Sequence, residues 1–310
     1  MTNMLELSEI TLEGPDLSGK TTLYRNLHQE TDFKWNIQDR AEISMAIYSE
    51  MYGRPDAEKW WSRVREKLLN LNHRYVILIP HEDLMLERFE ARGDDMQDAE
   101  SLVQLRKRFV KAASKLSKFG TCIIVSVTKR NQSDVKQEVL EALRDIESVN
   151  TFGLCMQVLR VANAFDNDEA AGLRFNIDLT DFDSYDYDVL NYEKEREYYD
   201  RITRDYTEIV EREMMGDNEY GAPQDPRTTR RFVYTDSSCI SYINTQVRDR
   251  CMTMRVVCRS SDVQNTFFYD ISFLQILSLR IKEILIKTCE VERVIMNVRL
   301  DSAHILDGTG

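Results

Sequence analysis

The run Gly14-Pro15-Asp16-Leu17-Ser18-Gly19-Lys20-Thr21 constrains this chain more than any other feature. It follows a short, partly apolar stretch, Glu6 to Glu13, whose pattern predicts a strand, and it opens a helical pattern from Thr21 to about Gln29. Two glycines with four residues between them, then Lys and Thr, let backbone N–H groups wrap around the phosphates of a nucleoside triphosphate. Lys20 would reach the outer phosphates and the Thr21 hydroxyl would hold Mg²⁺. The helix beginning here adds its positive N-terminal end. The segment therefore predicts an ATP and Mg²⁺ site made of Gly14, Asp16, Ser18, Gly19, Lys20, Thr21 and Thr22.

The surrounding pattern supplies the fold. Strands are expected at Phe33 to Gln38, Tyr75 to Ile79 (ended by Pro80) and Thr121 to Val127. Helices are expected at Ala41 to Met51, Ala57 to Leu71, Asp83 to Ala91, Ala99 to Leu116 and Ser133 to Ile146. Strands alternating with helices imply an α/β domain with a parallel sheet covered on both faces. After Val149 the character changes. Phe152 to Phe165 reads as an amphipathic helix, and Asp166 to Tyr187 carries six Asp and one Glu among its 22 residues. Asn191 to Met215 reads as a charged helix, solvated or at an interface, and Gly216 to Thr229 as a loop. Strands follow at Arg231 to Tyr234, Ile240 to Arg248 and Met252 to Arg259, then a helix at Ile271 to Lys287 and a strand at Val291 to Leu300. Two domains are expected, 1–148 and 149–310, which suits a chain of 310 residues.

Composition narrows the function classes. The 42% apolar and 30% charged content is that of a soluble globular protein. The first ten residues hold two acids and no Lys or Arg, unlike a signal peptide, and no apolar run approaches the length of a membrane span. A cytoplasmic protein without a membrane partner is the expectation. The six cysteines form no C-x-x-C pair, which argues against a zinc site and a disulfide framework. A net charge of −12 argues against general duplex-DNA binding while leaving room for a local basic groove.

Two family resemblances sharpen these expectations. The stretch ITLEGPDLSGKTTL resembles the opening of thymidylate kinases and related deoxynucleoside kinases. Asp39-Arg40-Ala41-Glu42-Ile43-Ser44, with Tyr48 four residues on, resembles their Asp-Arg-x-x-x-Ser signature. Leu86 to Asp94 resembles their arginine-rich lid. The likeness spans roughly residues 7 to 147. It implies that Asp39 accepts the acceptor's proton or organises Mg²⁺ together with Thr21. It also implies that Arg40 and Ser44 bind the acceptor, and that Arg88 and Arg92 clamp the γ-phosphate. Read from the residues alone, Asp39 is a strand-end or capping acid, and Arg88 and Arg92 are partners of Glu87 and Glu90 on a solvated helix face. Only 19 positions separate Lys20 from Asp39. Thymidylate kinases insert more there, and the short interval looks more like phage polynucleotide kinases.

From Arg231 onward the chain resembles the nucleotide-binding half of thymidylate synthases and pyrimidine hydroxymethylases. Cys239 precedes Arg259-Ser260-Ser261-Asp262 by the 20 positions that separate the family's nucleophile from its Arg-Ser-x-Asp signature. Asp270 follows Arg259 by the 11 positions of the base-reading residue, and Ala303-His304-Ile305 completes the match. Phe152 to Phe165 and Leu173-Arg174-Phe175-Asn176 resemble the family's N-terminal helix and first strand. The likeness implies a reduced α+β domain in which Cys239 attacks a pyrimidine. Arg259, Ser260 and Asp262 would serve its nucleotide, Asp270 would favour cytosine, and His304 would join the pocket. Arg230 and Arg231 would reach a phosphate across a homodimer. Departures stand at Ser238, Cys258, Thr266 to Tyr269 and Leu306, and the folate-binding half is much reduced, so folate is a weaker expectation than ATP and Mg²⁺. The bland readings are an inert Cys239, Arg259 paired with Asp262, Asp270 as a helix N-cap before Ile271, and an incidental His304.

The expected function is an ATP-dependent kinase of a pyrimidine deoxynucleotide, hydroxymethylated or not. The alternatives are a kinase of a 5-hydroxymethylpyrimidine or another hydroxyl within DNA, a bifunctional kinase and hydroxymethylase, and an ATP-sensing dimeric scaffold. Modified DNA of a phage-like setting is the matching macromolecular partner.

Overall fold

A computed structural model describes residues 4–93, 97–129, 132–182 and 193–306. Asp94 and the acidic residues beyond Phe182 lie outside the described residues. The chain is α/β and divides into two compact units. One is Leu7–Glu147; the other runs from Ser148 onward and takes in the short segment before Leu7.

The first unit is a four-stranded, fully parallel sheet in the order β2-β1-β3-β4. Its strands are β1 (Glu9–Glu13), β2 (Asn36–Asp39), β3 (His73–Pro80) and β4 (Cys122–Val127). β3 is buried along almost its whole length, which explains its unbroken apolar run, and Pro80 ends it for want of an N–H. The helices are α1 (Lys20–Thr31), α2 (Glu42–Met51), α3 (Ala57–Leu68), α4 (Glu82–Arg92), α5 (Ala99–Leu116) and α6 (Gln132–Glu147). The chain steps from β1 outward to β2, then back past β1 to β3. Right-handed crossovers then send α1 to one face and α2, α3 and α5 to the other. Leu23 and Leu27 of α1 pack with Val135, Val139, Leu140 and Leu143 of α6 against Ile10, Leu12, Val76 and Val125 of the sheet. The reversal of strand order falls at the carboxyl end of β1, where open α/β sheets place their ligands.

The second unit holds a mixed sheet in the order β5-β10-β8-β7-β6, with β9 pairing β10 off that path. The strands are β5 (Glu169–Asp178), β6 (Val233–Thr235), β7 (Ile240–Arg248), β8 (Cys251–Cys258), β9 (Ser261–Asp262) and β10 (Arg293–His304). The helices are α7 (Thr151–Ala162), α8 (Glu193–Met215) and α9 (Phe267–Leu285). β5 lies inside the acidic stretch and contains Leu173-Arg174-Phe175-Asn176, where the family resemblance implied a first strand. Leu173, Phe175 and Ile177 alternate inward while Glu169, Ala171 and Arg174 face out, the pattern of a half-buried strand. Asp249 and Arg250 join β7 to β8, both with positive φ, as a two-residue hairpin of the primed type requires. α8 is not merely solvated, because Tyr199, Ile202, Tyr206 and Val210 bury one face of it. Leu5 bridges to Ile177, and the Met4 carbonyl accepts from the Asp178 N–H at 2.9 Å.

Leu12 is fully buried at the centre of the first unit. Leu12→Ala should lower that unit's stability by about 2–5 kcal/mol, the range for a large-to-small core change. Urea unfolding followed by tryptophan fluorescence measures this unit alone, since Trp35, Trp60 and Trp61 all belong to it. An unchanged midpoint would contradict the packing described.

Candidate active site

The loop from Gly14 to Gly19 leaves the carboxyl end of β1 and turns into α1. Gly14 has φ +145°, and a Cβ there would stand 2.4 Å from the Leu78 carbonyl oxygen, so no other residue fits as the chain passes β3. Gly19 takes φ +97° at the N-cap of α1, and no side chain caps that helix. Leu17 (φ 60°) and Arg40 (φ 74°) hold left-handed backbone that side chains disfavour. Each such residue costs about 1–3 kcal/mol, and such strain gathers at functional sites.

Lys20 is buried beneath this loop. Its Nζ donates to the carbonyls of Gly14 and Pro15, both at 2.7 Å, and to Ser18 Oγ at 3.2 Å. Burial, then the nearby Arg40 charge, lowers its pKa to about 8. The ammonium thus sits in a site that an added anion would stabilise strongly. Thr21 Oγ1 donates to Asp39 Oδ2 at 2.8 Å, which joins the first turn of α1 to the end of β2. Asp16 receives both Arg40, as an ion pair, and the Tyr48 hydroxyl, and the Arg40 guanidinium lies 5.7 Å from the Tyr48 ring centre. Arg88 Nη1 donates to the Leu17 carbonyl at 2.6 Å, which brings α4 onto the loop. Burial and then Arg92 lower the Arg88 pKa, so the two arginines share a neighbourhood. Arg92 is exposed at the end of α4, and Glu87 pairs with Lys129 at 2.7 Å. Thr22 is exposed on the first turn of α1.

Ser44 stands apart from the acceptor-binding role expected of it. It is fully buried, and its hydroxyl and N–H both go to Glu13. Glu13 is the site residue that sequence reading missed. It closes β1 directly before Gly14, it is itself fully buried, and it also accepts the N–H groups of Ala41 (3.2 Å) and Ile43 (2.9 Å). Burial pushes its pKa up to about 7 against the pull of Ser44 and Lys20. An acid ending an otherwise apolar strand was its only signal in the sequence.

Thr21 and Asp39 offer the hard oxygen donors that suit Mg²⁺. Among the described residues no three His, Cys, Asp or Glu side chains gather as a metal site. Mg²⁺ needs no such cage, because it takes one or two protein oxygens and completes its shell with phosphates and water.

In the second unit, Cys239 is exposed just before β7, and its carbonyl accepts from the Arg259 N–H at 2.8 Å. Asp270 is buried within the first turn of α9, whose N-cap is Thr266, and accepts from the Tyr199 hydroxyl at 2.8 Å. It is therefore not the helix cap of the bland reading. Burial raises its pKa to about 6. Burial and then the Asp270 charge push the Cys239 thiol up, the reverse of what activates a nucleophile. The Tyr198 hydroxyl accepts from the Ile240 N–H at 2.9 Å and lies 3.1 Å from Ser238 Oγ. No local signal in the sequence marks Tyr198 and Tyr199 as neighbours of these residues.

The remaining expected residues spread out. Asp262 caps the turn ahead of α9 through Gln264 N, Asn265 N and Asn265 Nδ2, and makes no ion pair with Arg259 among the described residues. Arg259 and Arg230 are exposed, and Ser260 is half-buried. Arg231 lies 3.5 Å from the Tyr220 ring centre and 3.4 Å from Glu219. His304 pairs in register with Asp262 and lies 3.2 Å from Ser302 Oγ.

No family model and no curated protein matches the chain. Among solved structures, the chain is similar to the YorR protein of Bacillus subtilis, described as a complex with phosphorylated GDP. The identity is 14% and the TM-score 0.39, over 46% of this chain and 99% of that one. No helix among the described residues is long and apolar enough to cross a membrane.

Two outcomes follow from these sites. The raised Glu13 pKa means its contribution to stability is full below its ordinary value of 4.5 and is lost as pH rises through about 7. The melting-temperature advantage of the wild type over Glu13→Gln should therefore shrink across pH 4.5 to 7; a constant difference would contradict it. Cys239, though exposed, should alkylate more slowly with iodoacetamide at pH 7.5 than a free cysteine, and faster in Asp270→Asn. Rapid alkylation of the wild type would show an activated thiol.

Proposed function

We propose that the chain is an ATP-dependent phosphotransferase, that Leu7–Glu147 carries the reaction, and that the acceptor is a pyrimidine deoxynucleotide. The observation that carries this reading is Lys20. It is a buried ammonium held inside a backbone loop at the strand-order switch point, with its charge disfavoured until an anion arrives.

Each part then has a task. The loop N–H groups and the free start of α1 bind the α- and β-phosphates. Lys20 exchanges its contacts with Gly14 and Pro15 for phosphate oxygens. Thr21 and Asp39 would hold Mg²⁺, which would supply charge neutralisation for the transferring phosphoryl group. Arg88, already on the loop through Leu17, and Arg92 beside it stabilise that group in flight. Arg40, Asp16 and Tyr48 form a linked set on the acceptor side and orient the attacking oxygen.

The second unit serves as a recognition module for a pyrimidine nucleotide rather than a second catalytic centre. The grounds are the raised Cys239 thiol and the buried Asp270 and Tyr199 pair beside it. Arg259 and Ser260 would meet the phosphate, and a homodimer would bring Arg230 and Arg231 to it.

One observation favours a hydroxyl within DNA as acceptor instead. α1 is only 12 residues long and runs almost directly into β2, without an inserted helical region between them. The test is transfer from γ-labelled ATP with Mg²⁺ to dCMP, hydroxymethyl-dCMP, dUMP, dTMP and DNA with and without hydroxymethylpyrimidines. Label should appear on a free monophosphate, and Lys20→Ala should reduce transfer by a factor on the order of a hundred or more, as loss of a main charge-stabilising group does. Label on DNA alone would establish the second reading. ATP binding without transfer to any acceptor would overturn both.

A further inference from the structure

A cavity of about 630 Å³ lies between α2, α3 and α5 within the first unit. Its floor is apolar, with Val64, Leu68 and Phe119 buried beneath it. Its rim is cationic, with Glu50 and Glu58 set against Arg65, Lys107, Arg108, Lys111 and Lys115. Both carboxylates already have partners, since Glu58 pairs with Arg65 at 2.6 Å and Glu50 with Arg108 at 3.7 Å. The three lysines are exposed and make no ion pair among the described residues. In a chain of net charge −12, three uncompensated lysines in one row stand out.

Their spacing is regular. Positions 107, 111 and 115 recur every four residues on α5, so their stems are about 6 Å apart along the helix axis and span about 12 Å. An extended single strand repeats its phosphates on a similar scale, whereas a small anion would meet only one or two of these charges. Trp61 faces the same cavity. Its indole N–H donates to Glu50 Oε1 at 2.6 Å, so the ring is held by a carboxylate that Arg108 in turn holds. A fixed aromatic ring beside a line of cations is the arrangement by which proteins hold unpaired bases and their backbone.

We propose that this groove binds single-stranded nucleic acid, with Lys107, Lys111 and Lys115 tracking the phosphates and Trp61 stacking on a base. The site is separate from Lys20 and its loop, and binding there requires no phosphate transfer.

The experiment is fluorescence anisotropy of a labelled oligo-dT 12-mer with the full chain, without ATP, across a salt series. The Lys107→Gln/Lys111→Gln/Lys115→Gln variant should bind about tenfold or more weakly at low salt, and its salt slope should fall by about 2, since each single-strand phosphate contact contributes about 0.7. The altered side chains are exposed, so the variant should melt like the wild type. Lys111→Glu alone should weaken binding in the same direction and serves if the triple variant is unstable. Lys20→Ala should bind the 12-mer as the wild type does, which separates this result from the fate of the kinase reading. Unchanged affinity and slope in the lysine variants would overturn the proposal. So would equal competition by an oligo-glutamate of the same charge, which would assign the groove to an acidic protein segment.

Discussion

The carboxylate of Glu13 is the contact on which the geometry of the first unit depends. α2 begins at Glu42 with no side chain of its own capping it. The N–H groups of Ala41, Ile43 and Ser44 are satisfied instead by an acid from the end of β1. An unsatisfied buried N–H is expensive, and the Glu13 carboxyl oxygens satisfy three at the start of the helix. One side chain therefore ties the strand that runs into the Gly14–Gly19 loop to the helix that follows Arg40. If it moves, Tyr48 and Asp16 lose their alignment, because Tyr48 rides on the same helix.

Around that anchor the loop is built under electrostatic and conformational tension. Leu17 and Arg40 hold backbone conformations that their side chains disfavour. Lys20 is desolvated close to another cation. Packed surroundings hold these features in place, with Leu78 against Gly14 and Arg88 on the Leu17 carbonyl. Of these features, the desolvated Lys20 ammonium is the one that a nearby negative charge would stabilise.

The turn from Gly14 to Gly19 between strand and helix, and the alternation of the first unit, were legible because they are local. Glycine spacing and apolar periodicity are properties of neighbours in sequence, and Ala99–Leu116 appears with the bounds its pattern predicts. What the sequence concealed was long-range. Glu13 and Ser44 meet across 31 positions, and Tyr199 reaches Asp270 across 71. Ser44 reads as an acceptor ligand until its burial is known. Asp270 reads as a cap until the helix is seen to begin at Phe267. β5 was legible only through the resemblance at Leu173 to Asn176, because the inward alternation of Leu173, Phe175 and Ile177 is a quiet signal inside an acid-rich stretch.

The pairing of Leu5 with Ile177 gives the chain an order of assembly. In sequence, Leu7–Glu147 is inserted between the two pieces of chain that make up the second unit, and Leu5 of the earlier piece bridges to Ile177 of the later one. Leu7–Glu147 has every residue it needs long before the ribosome reaches β10 at Arg293. The β5 residues that Leu5 and Met4 pair with, Ile177 and Asp178, follow only after the whole of Leu7–Glu147. The second unit is thus a late closure of two distant pieces of chain, and its folding carries the loop-closure entropy that the first unit largely avoids.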